Sequence, residues 1–403
     1  MDVLTSVGGQ TALPRYFGTT FALLSRIEVG TLDTVLPDGR TFRVAGNASG
    51  PYARVEVTNP GLFARLARDG EIAFPEAFMD GWWETPDLQA LMDVLILNNE
   101  AIGRNLPGAA FVRAWERLRH WLRGNTRAQA RRNIAHHYDL GNAFYGLWLD
   151  ESMTYSSALF REGQESLETA QRNKYAQLCD LLDLREGQHV LEIGCGWGGF
   201  AEYAAGERGA RVTGLTISRE QHDFAVERMA AAGLSDRVSI EMRDYRDERG
   251  AYDAVASIEM FEAVGERYWP VYFDAVRARL KPGGKAAFQI ITVADGLFER
   301  YRRGVDFVQK YIFPGGMLPS PTVLRAEVAR AGLVETEAVT FGESYSETLR
   351  RWRDTFETRW PEIAPMGFDE RFRRMWNFYL ASCAACFKAG TTDVVQLSVA
   401  RPG

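Results

Sequence analysis

The stretch Val190-Leu191-Glu192-Ile193-Gly194-Cys195-Gly196-Trp197-Gly198-Gly199-Phe200 constrains this chain more than any other. An apolar run stops at four glycines in six residues, and helix-forming Ala, Glu and Tyr follow from Phe200 to Ala205. That order reads as strand, tight turn and helix start. Glycine reaches positive φ without steric cost and lets a ligand lie against the backbone, so the turn is a candidate cradle. The alternation continues downstream: Arg211–Leu215, Val238–Met242 ahead of Asp244, and Tyr252–Ile258 read as further strands separated by helical stretches. Strands alternating with helices give a parallel sheet covered on both faces, with its ligand over the carboxyl ends of the strands. The second strand closes on Gly214-Leu215-Thr216-Ile217-Ser218, without the acid that a dinucleotide fold places there. No phosphate-binding Lys-Ser/Thr follows the glycines, which argues against a nucleoside triphosphate.

At 403 residues and 46% hydrophobic, the chain is long enough for two or three globular domains. A net charge of −6 argues against a nucleic-acid partner. Neither a signal-like N-terminus nor an 18-residue uncharged apolar run is present, which predicts a cytoplasmic protein. Four cysteines make no disulfide framework, and Cys383-Ala-Ala-Cys386 reads as buried helix cysteines with no metal. Residues 1–103 form a small α+β domain: Thr34–Leu36, Thr41–Val44 and Arg54–Val57 carry hairpin signals, Asn59 is placed to cap a helix over Leu62–Leu66, and Asp87 to cap one reaching about Asn98. Residues 104–132 hold eight arginines against one acid, with Phe111, Trp115, Leu118 and Leu122 at helical spacing. A basic amphipathic linker helix suits an anionic membrane surface, and a solvated linker face is the alternative. The third segment is 133–403. His136 and His137 are adjacent on a helix and point apart, so a shared ion is not expected.

The glycine words resemble the first motif of class I S-adenosylmethionine methyltransferases. Further words narrow the resemblance: Tyr138-Asp139-Leu140-Gly141-Asn142, Tyr155-Ser156-Ser157-Ala158, Gly214 to Ser218 with Gln221, Asp244-Tyr245-Arg246-Asp247, Phe261-Glu262-Ala263-Val264-Gly265, and Tyr311 through Ser320. In order and nearly gap-free from about residue 130 to 400, they resemble the cyclopropane fatty acid synthase family. The first hundred residues resemble the N-terminal domain of its phospholipid-acting bacterial members.

The resemblance implies an α/β class I methyltransferase domain, Rossmann-like, behind the small α+β domain. It implies S-adenosylmethionine as cofactor, with Tyr155 and Ser156 at its methionine end, Gly194 and Gly196 beneath it in the motif Glu192 to Gly198, Thr216 and Gln221 on the ribose beside Ile217, and Asp244 and Tyr245 flanking the adenine. The implied acceptor is the double bond of an unsaturated phospholipid acyl chain. That acceptor calls for an apolar pocket, for which Tyr301, Phe307, Tyr311, Phe313, Trp352, Phe356, Trp360, Phe378 and Tyr379 are candidates. Methyl transfer leaves a carbocation, which needs negative charge and a base. In the family a bicarbonate is held by a glutamate, a cysteine, a histidine and a tyrosine. Here the glutamate is Glu262 and the tyrosine Tyr345, but the cysteine position reads Ser157 and the histidine position Gln289. Both are neutral donors able to bind an anion through hydroxyl or amide. Loss of a proton from the transferred methyl closes a cyclopropane, the product that the family's breadth favours; loss from the chain leaves a methyl-branched alkene. A soluble acceptor and a non-catalytic lipid-binding protein are the remaining alternatives. The expected setting is peripheral, on the anionic inner face of the membrane, with the first domain the candidate for forming a homodimer.

Overall fold

The computed structural model describes residues 3–103 and 140–403. It divides into two compact units. Of the described residues, the first takes 3–103, Gly304–Phe307 and Trp360–Ala389; the second takes 140–303, Val308–Arg359 and Gly390–Gly403. The expected basic segment 104–132 and the paired histidines lie outside the described residues.

In the first unit, strands β1 (Val3–Leu4), β2 (Val29–Val35), β3 (Thr41–Ala45), β4 (Ala48–Val57) and β5 (Trp83–Glu84) form one sheet in the order β1-β3-β2-β4-β5. Pro37-Asp38-Gly39 makes the β2–β3 hairpin, with Gly39 at φ 88. The second hairpin suggested by the sequence does not form. The chain crosses at Gly46, where a Cβ would lie 2.2 Å from the Glu28 carbonyl carbon, and β4 pairs with β2 in parallel instead. Asp87 caps the helix Leu88–Leu97 by accepting from the Ala90 amide. Asn59 stands two residues before Gly61, the N-cap of Leu62–Asp69, and so does not cap it; its Oδ1 accepts from Gly61 N.

The helix Glu370–Lys388 groups with this unit, although its residues fall in the third sequence segment, 133–403. Phe378 packs on Phe74, Phe78 and Phe307 with ring centroids 6.5, 6.1 and 5.0 Å apart, and Lys388 pairs with Asp93 at 2.5 Å. A contiguous reading of sequence does not reveal that an N-terminal core is completed by a C-terminal helix.

The second unit holds β6 (His189–Ile193), β7 (Arg211–Thr216), β8 (Val238–Met242), β9 (Tyr252–Ile258), β10 (Leu280–Val293), β11 (Val334–Thr340) and β12 (Thr392–Ala400) in the order β11-β12-β10-β9-β6-β7-β8. Pairings from β10 through β8 are parallel, whereas β12 runs antiparallel to both β10 and β11. Period-two alternation sends Leu191 and Ile193 into one core with Phe261, Trp269, Phe273 and Phe288, and Val190 into the opposite core with Tyr175, Leu178, Phe200 and Val212. Both faces are therefore covered.

Replacing Phe378 by Ala removes a large side chain from the first unit's core and is expected to cost about 3–5 kcal/mol. Hydrogen exchange should then accelerate across β2–β4 while β6–β10 keep their protection; unchanged exchange in β2–β4 would show that this helix does not complete the first core.

Candidate active site

The carboxyl ends of β6, β7, β8 and β9 meet along one sheet edge. After β6 the chain turns through Gly194, Gly196 and Gly198, all at positive φ (84, 52 and 84°). A Cβ on Gly194 would fall 2.7 Å from Met260 Cγ, whereas one on Gly196 would meet nothing within 4 Å. The turn therefore packs tightly beneath and is open at its middle glycine. Glu192 is buried beside it, its Oε2 has no hydrogen-bond partner, and burial pushes its carboxyl up to about 8. After β7, Thr216 Oγ1 donates to Gln221 Oε1 at 3.0 Å, with Ile217 half-buried between them in sequence. After β8, Asp244 pairs with Arg246 at 2.6 Å, and the half-buried Tyr245 ring stands edge-on to Tyr272 at 5.5 Å.

The next strand end carries a residue to which the sequence did not point. Glu259, directly after β9, has φ 47°, a left-handed conformation that costs a non-glycine residue roughly 1–2 kcal/mol. Its amide donates to Gln289 O at 2.8 Å. Its Oε1 accepts from Ser157 N at 2.8 Å and from Gln289 Nε2 at 2.8 Å, and its Oε2 accepts from the Tyr345 hydroxyl at 2.6 Å. Ser157, Gln289 and Tyr345 thus come together, but around a carboxylate of the chain itself. Ser157 takes part through its backbone amide, since its hydroxyl is spent on Ala158 O at 2.9 Å. Gln289 is oriented from behind, its Oε1 accepting from Gln396 Nε2 at 3.1 Å across the β10–β12 pairing.

Ser156 is turned away from this cluster. Its Oγ receives the fully buried Lys174 ammonium at 2.7 Å, and burial pushes that amine down to about 7 against the opposing charges of Glu259 and Asp150. Glu262 Oε1 accepts from Ile291 N at 2.5 Å, while its Oε2 is buried without a partner. Burial raises both carboxyls, Glu262 to about 8 with the charge of Glu259 adding to the shift. Three hydrogen bonds and the charge of Lys174 offset burial at Glu259, whereas Glu262 has one amide donor and faces the charge of Glu259, an arrangement that favours the charge on Glu259 and the proton on Glu262.

An aromatic wall adjoins the cluster. The Tyr155 ring lies 5.3 Å from Trp352, 5.4 Å from Tyr145, 5.5 Å from Trp148 and 6.4 Å from Phe313, and Tyr345 meets Trp352 edge-on at 6.3 Å. Phe356 joins it by contact with Phe144 at 6.4 Å. Tyr301 hydrogen-bonds Gln309 instead, at 3.2 Å. Phe307, Trp360, Phe378 and Tyr379 belong to the first unit, so about half of the aromatic residues proposed for the pocket serve that core.

A seven-stranded sheet with one antiparallel strand and a glycine turn at the central carboxyl edge defines a class I methyltransferase. Residues 125–397 match the mycolic acid cyclopropane synthetase family, and the chain belongs to it. It is 41% identical to a tuberculostearic acid methyltransferase of Mycobacterium tuberculosis, over 85% of this chain and 82% of that one. It is 35% identical to the cyclopropane-fatty-acyl-phospholipid synthase of Escherichia coli strain K12, over 91% of this chain and 95% of that one. The crystal structure of a mycolic acid cyclopropane synthase complexed with SAH and CTAB superposes with TM-score 0.63 at 26% identity, covering 67% of this chain and 98% of that one.

The turn suits S-adenosylmethionine on its own terms. An amino-acid ammonium would supply the partner that Glu192 Oε2 lacks, and Gly196 leaves room for a ligand where a side chain would stand. Gly194→Ala, which combines a strained φ with a clash against Met260, is expected to weaken S-adenosylmethionine binding about tenfold or more. Gly206→Ala, whose Cβ would lie 4.0 Å from Leu234 Cδ1, should leave it unchanged. Titration calorimetry on the two variants checks the pair, and equal affinities would contradict the cradle.

Proposed function

We propose that the protein is an S-adenosylmethionine-dependent C-methyltransferase acting on the cis double bond of unsaturated acyl chains in membrane phospholipids. The observation that carries this reading is the half-buried pair Glu259 and Glu262, set at the sheet's carboxyl edge beside the glycine turn, with Tyr155, Trp352 and Phe313 in the adjoining aromatic wall. S-adenosylmethionine supplies an electrophilic methyl on a sulfonium. An alkene is a weak nucleophile with no charge to hold, so its binding rests on apolar burial, for which the aromatic wall provides surface. Carbon–carbon bond formation leaves positive charge on the acyl chain. The Glu259 carboxylate opposes that charge in a site whose buried surroundings strengthen the attraction, and Glu262 offers a second carboxyl.

One methyl transfer leads to two products. A cyclopropane results when the proton comes from the new methyl, and the likeness to the cyclopropane synthase, spanning nearly all of both chains, supports that outcome. A methyl-branched alkene results when it comes from the chain. The likeness to the tuberculostearic acid methyltransferase favours this second reading.

Among the described residues no helix is long and apolar enough to cross a membrane. Access to phospholipid is assigned to peripheral docking at the anionic inner face through the basic stretch 104–132, where each basic side chain contributes roughly 1 kcal/mol.

Purified protein with S-adenosylmethionine should methylate vesicles of unsaturated phosphatidylglycerol and leave saturated vesicles untouched, as read by lipid mass spectrometry. Glu262→Gln should lower turnover about 10²-fold or more, a loss typical of removing a positioned acid–base or charge-stabilising group, with cofactor affinity held within a few fold. Undiminished turnover would remove Glu262 from the mechanism.

A further inference from the structure

The chain carries its own carboxylate in the position where a bound anion is expected. Bicarbonate was anticipated between Glu262, Tyr345 and the positions of Ser157 and Gln289. Three of those four positions direct a donor at Glu259: the Ser157 amide, the Gln289 amide and the Tyr345 hydroxyl, at 2.8, 2.8 and 2.6 Å. A carboxylate presents the same O–C–O edge as bicarbonate. The donors that would bind the ion are therefore engaged, and a second anion would meet like charge in a buried site. Bicarbonate does not fit this cradle.

We propose that Glu259 is the built-in base of the reaction, replacing a bound bicarbonate. The inference rests on the methyltransfer reading above. Lone-pair counting selects the atom. Oε1 already accepts two hydrogen bonds, whereas Oε2 accepts one, from Tyr345, and keeps a lone pair. Gln396 fixes the Gln289 amide so that its NH2, not its oxygen, faces Glu259, and the buried Lys174 opposes the negative charge. Once the acyl carbon has taken the methyl and S-adenosylhomocysteine has formed, Oε2 removes one proton from the lipid cation. The electrons of that C–H bond close the ring or form the new double bond. The proton leaves Glu259 for water when the site reopens, which restores the carboxylate, so no oxidant or further reactant is needed.

The two apparent losses at Ser157 and Gln289 then have one explanation. A cysteine thiol and a histidine ring are replaced at a site where a backbone amide and a primary amide already saturate Oε1 of the internal base.

The test compares wild type with Glu259→Gly, a substitution that the left-handed backbone accepts, and with Glu259→Gln. Turnover on unsaturated phosphatidylglycerol vesicles is measured in CO2-stripped buffer and again with added bicarbonate. Wild-type turnover is expected to agree within about twofold in the two buffers. Glu259→Gly should lose about 10²-fold or more in stripped buffer, with S-adenosylmethionine affinity by calorimetry within a few fold, and should regain about tenfold on addition of bicarbonate. Carbon-13 NMR with labelled bicarbonate gives a readout that needs no turnover: the wild type should show no bound ion, and Glu259→Gly should show one. A wild type that slows tenfold without bicarbonate, a wild type that binds the labelled ion, or a Glu259→Gly enzyme active in stripped buffer would each overturn the proposal. Absence of lipid methylation by the wild type in either buffer would instead defeat the methyltransfer reading, and the NMR comparison would still decide the cradle.

Discussion

A carboxylate taken out of water must be held by hydrogen bonds and opposite charge, because the desolvation penalty for a lone buried ion is several kcal/mol. Glu259 meets that requirement with groups from separate parts of the second unit: the loop at Ser157, strand β10 at Gln289, and the helix Gly342–Ile363 at Tyr345, with the charge of Lys174 from the helix Leu167–Leu181. Strand β12 adds Gln396 behind Gln289. The segments that close the unit around its parallel strands therefore converge on one charged group. Withdrawing a donor leaves part of that charge unsatisfied, at about 1–3 kcal/mol or more.

The scaffold confines this chemistry to one edge. Apolar side chains dominate both faces of β6, β9 and β10, and the buried polar side chains Glu192 and Gln289 lie in the carboxyl halves of their strands, beside the ends where backbone direction changes. At two such ends the backbone enters the left-handed region: through glycine after β6, where close packing against Met260 and space at Gly196 are both needed, and through Glu259 after β9, where the side chain is needed despite the conformational cost. The environments of Glu259 and Glu262 differ enough to divide their roles. Three donors and a nearby lysine favour charge on one; a single amide and the neighbouring charge favour the proton on the other.

Much of this was legible in the chain. The strand–glycine–helix word and the spacing of the following strands gave β6 to β9 almost residue by residue, because parallel strands buried on both faces leave a strong apolar signal and glycine turns leave a stronger one. The motif words marked Ser157, Gln289 and Tyr345 as neighbours. Glu259 is not legible there because the resemblance supplies the anion from outside the chain, and neutral donors at Ser157 and Gln289 suit an external ion as well as an internal carboxylate. The available signal was a second acid three residues before Glu262, at the end of a strand whose neighbour carries Gln289 where the resemblance expects histidine. The helix Glu370–Lys388 escaped for a different reason: an apolar face at helical spacing announces a core without saying whose. The parallel pairing of β4 with β2 is likewise set by the close approach at Gly46, which local turn signals do not encode.

The central claim is that this edge transfers a methyl group to carbon within an acyl chain. Mass spectrometry with double-bond localisation, on phospholipid treated with the protein and S-adenosylmethionine bearing a trideuterated methyl, tests it most directly. The account predicts label on the acyl chain at the former double bond, with two deuteriums retained if a ring closes and three if a branched alkene forms. Label on the headgroup, or no labelled lipid from a protein that binds the cofactor, would contradict it.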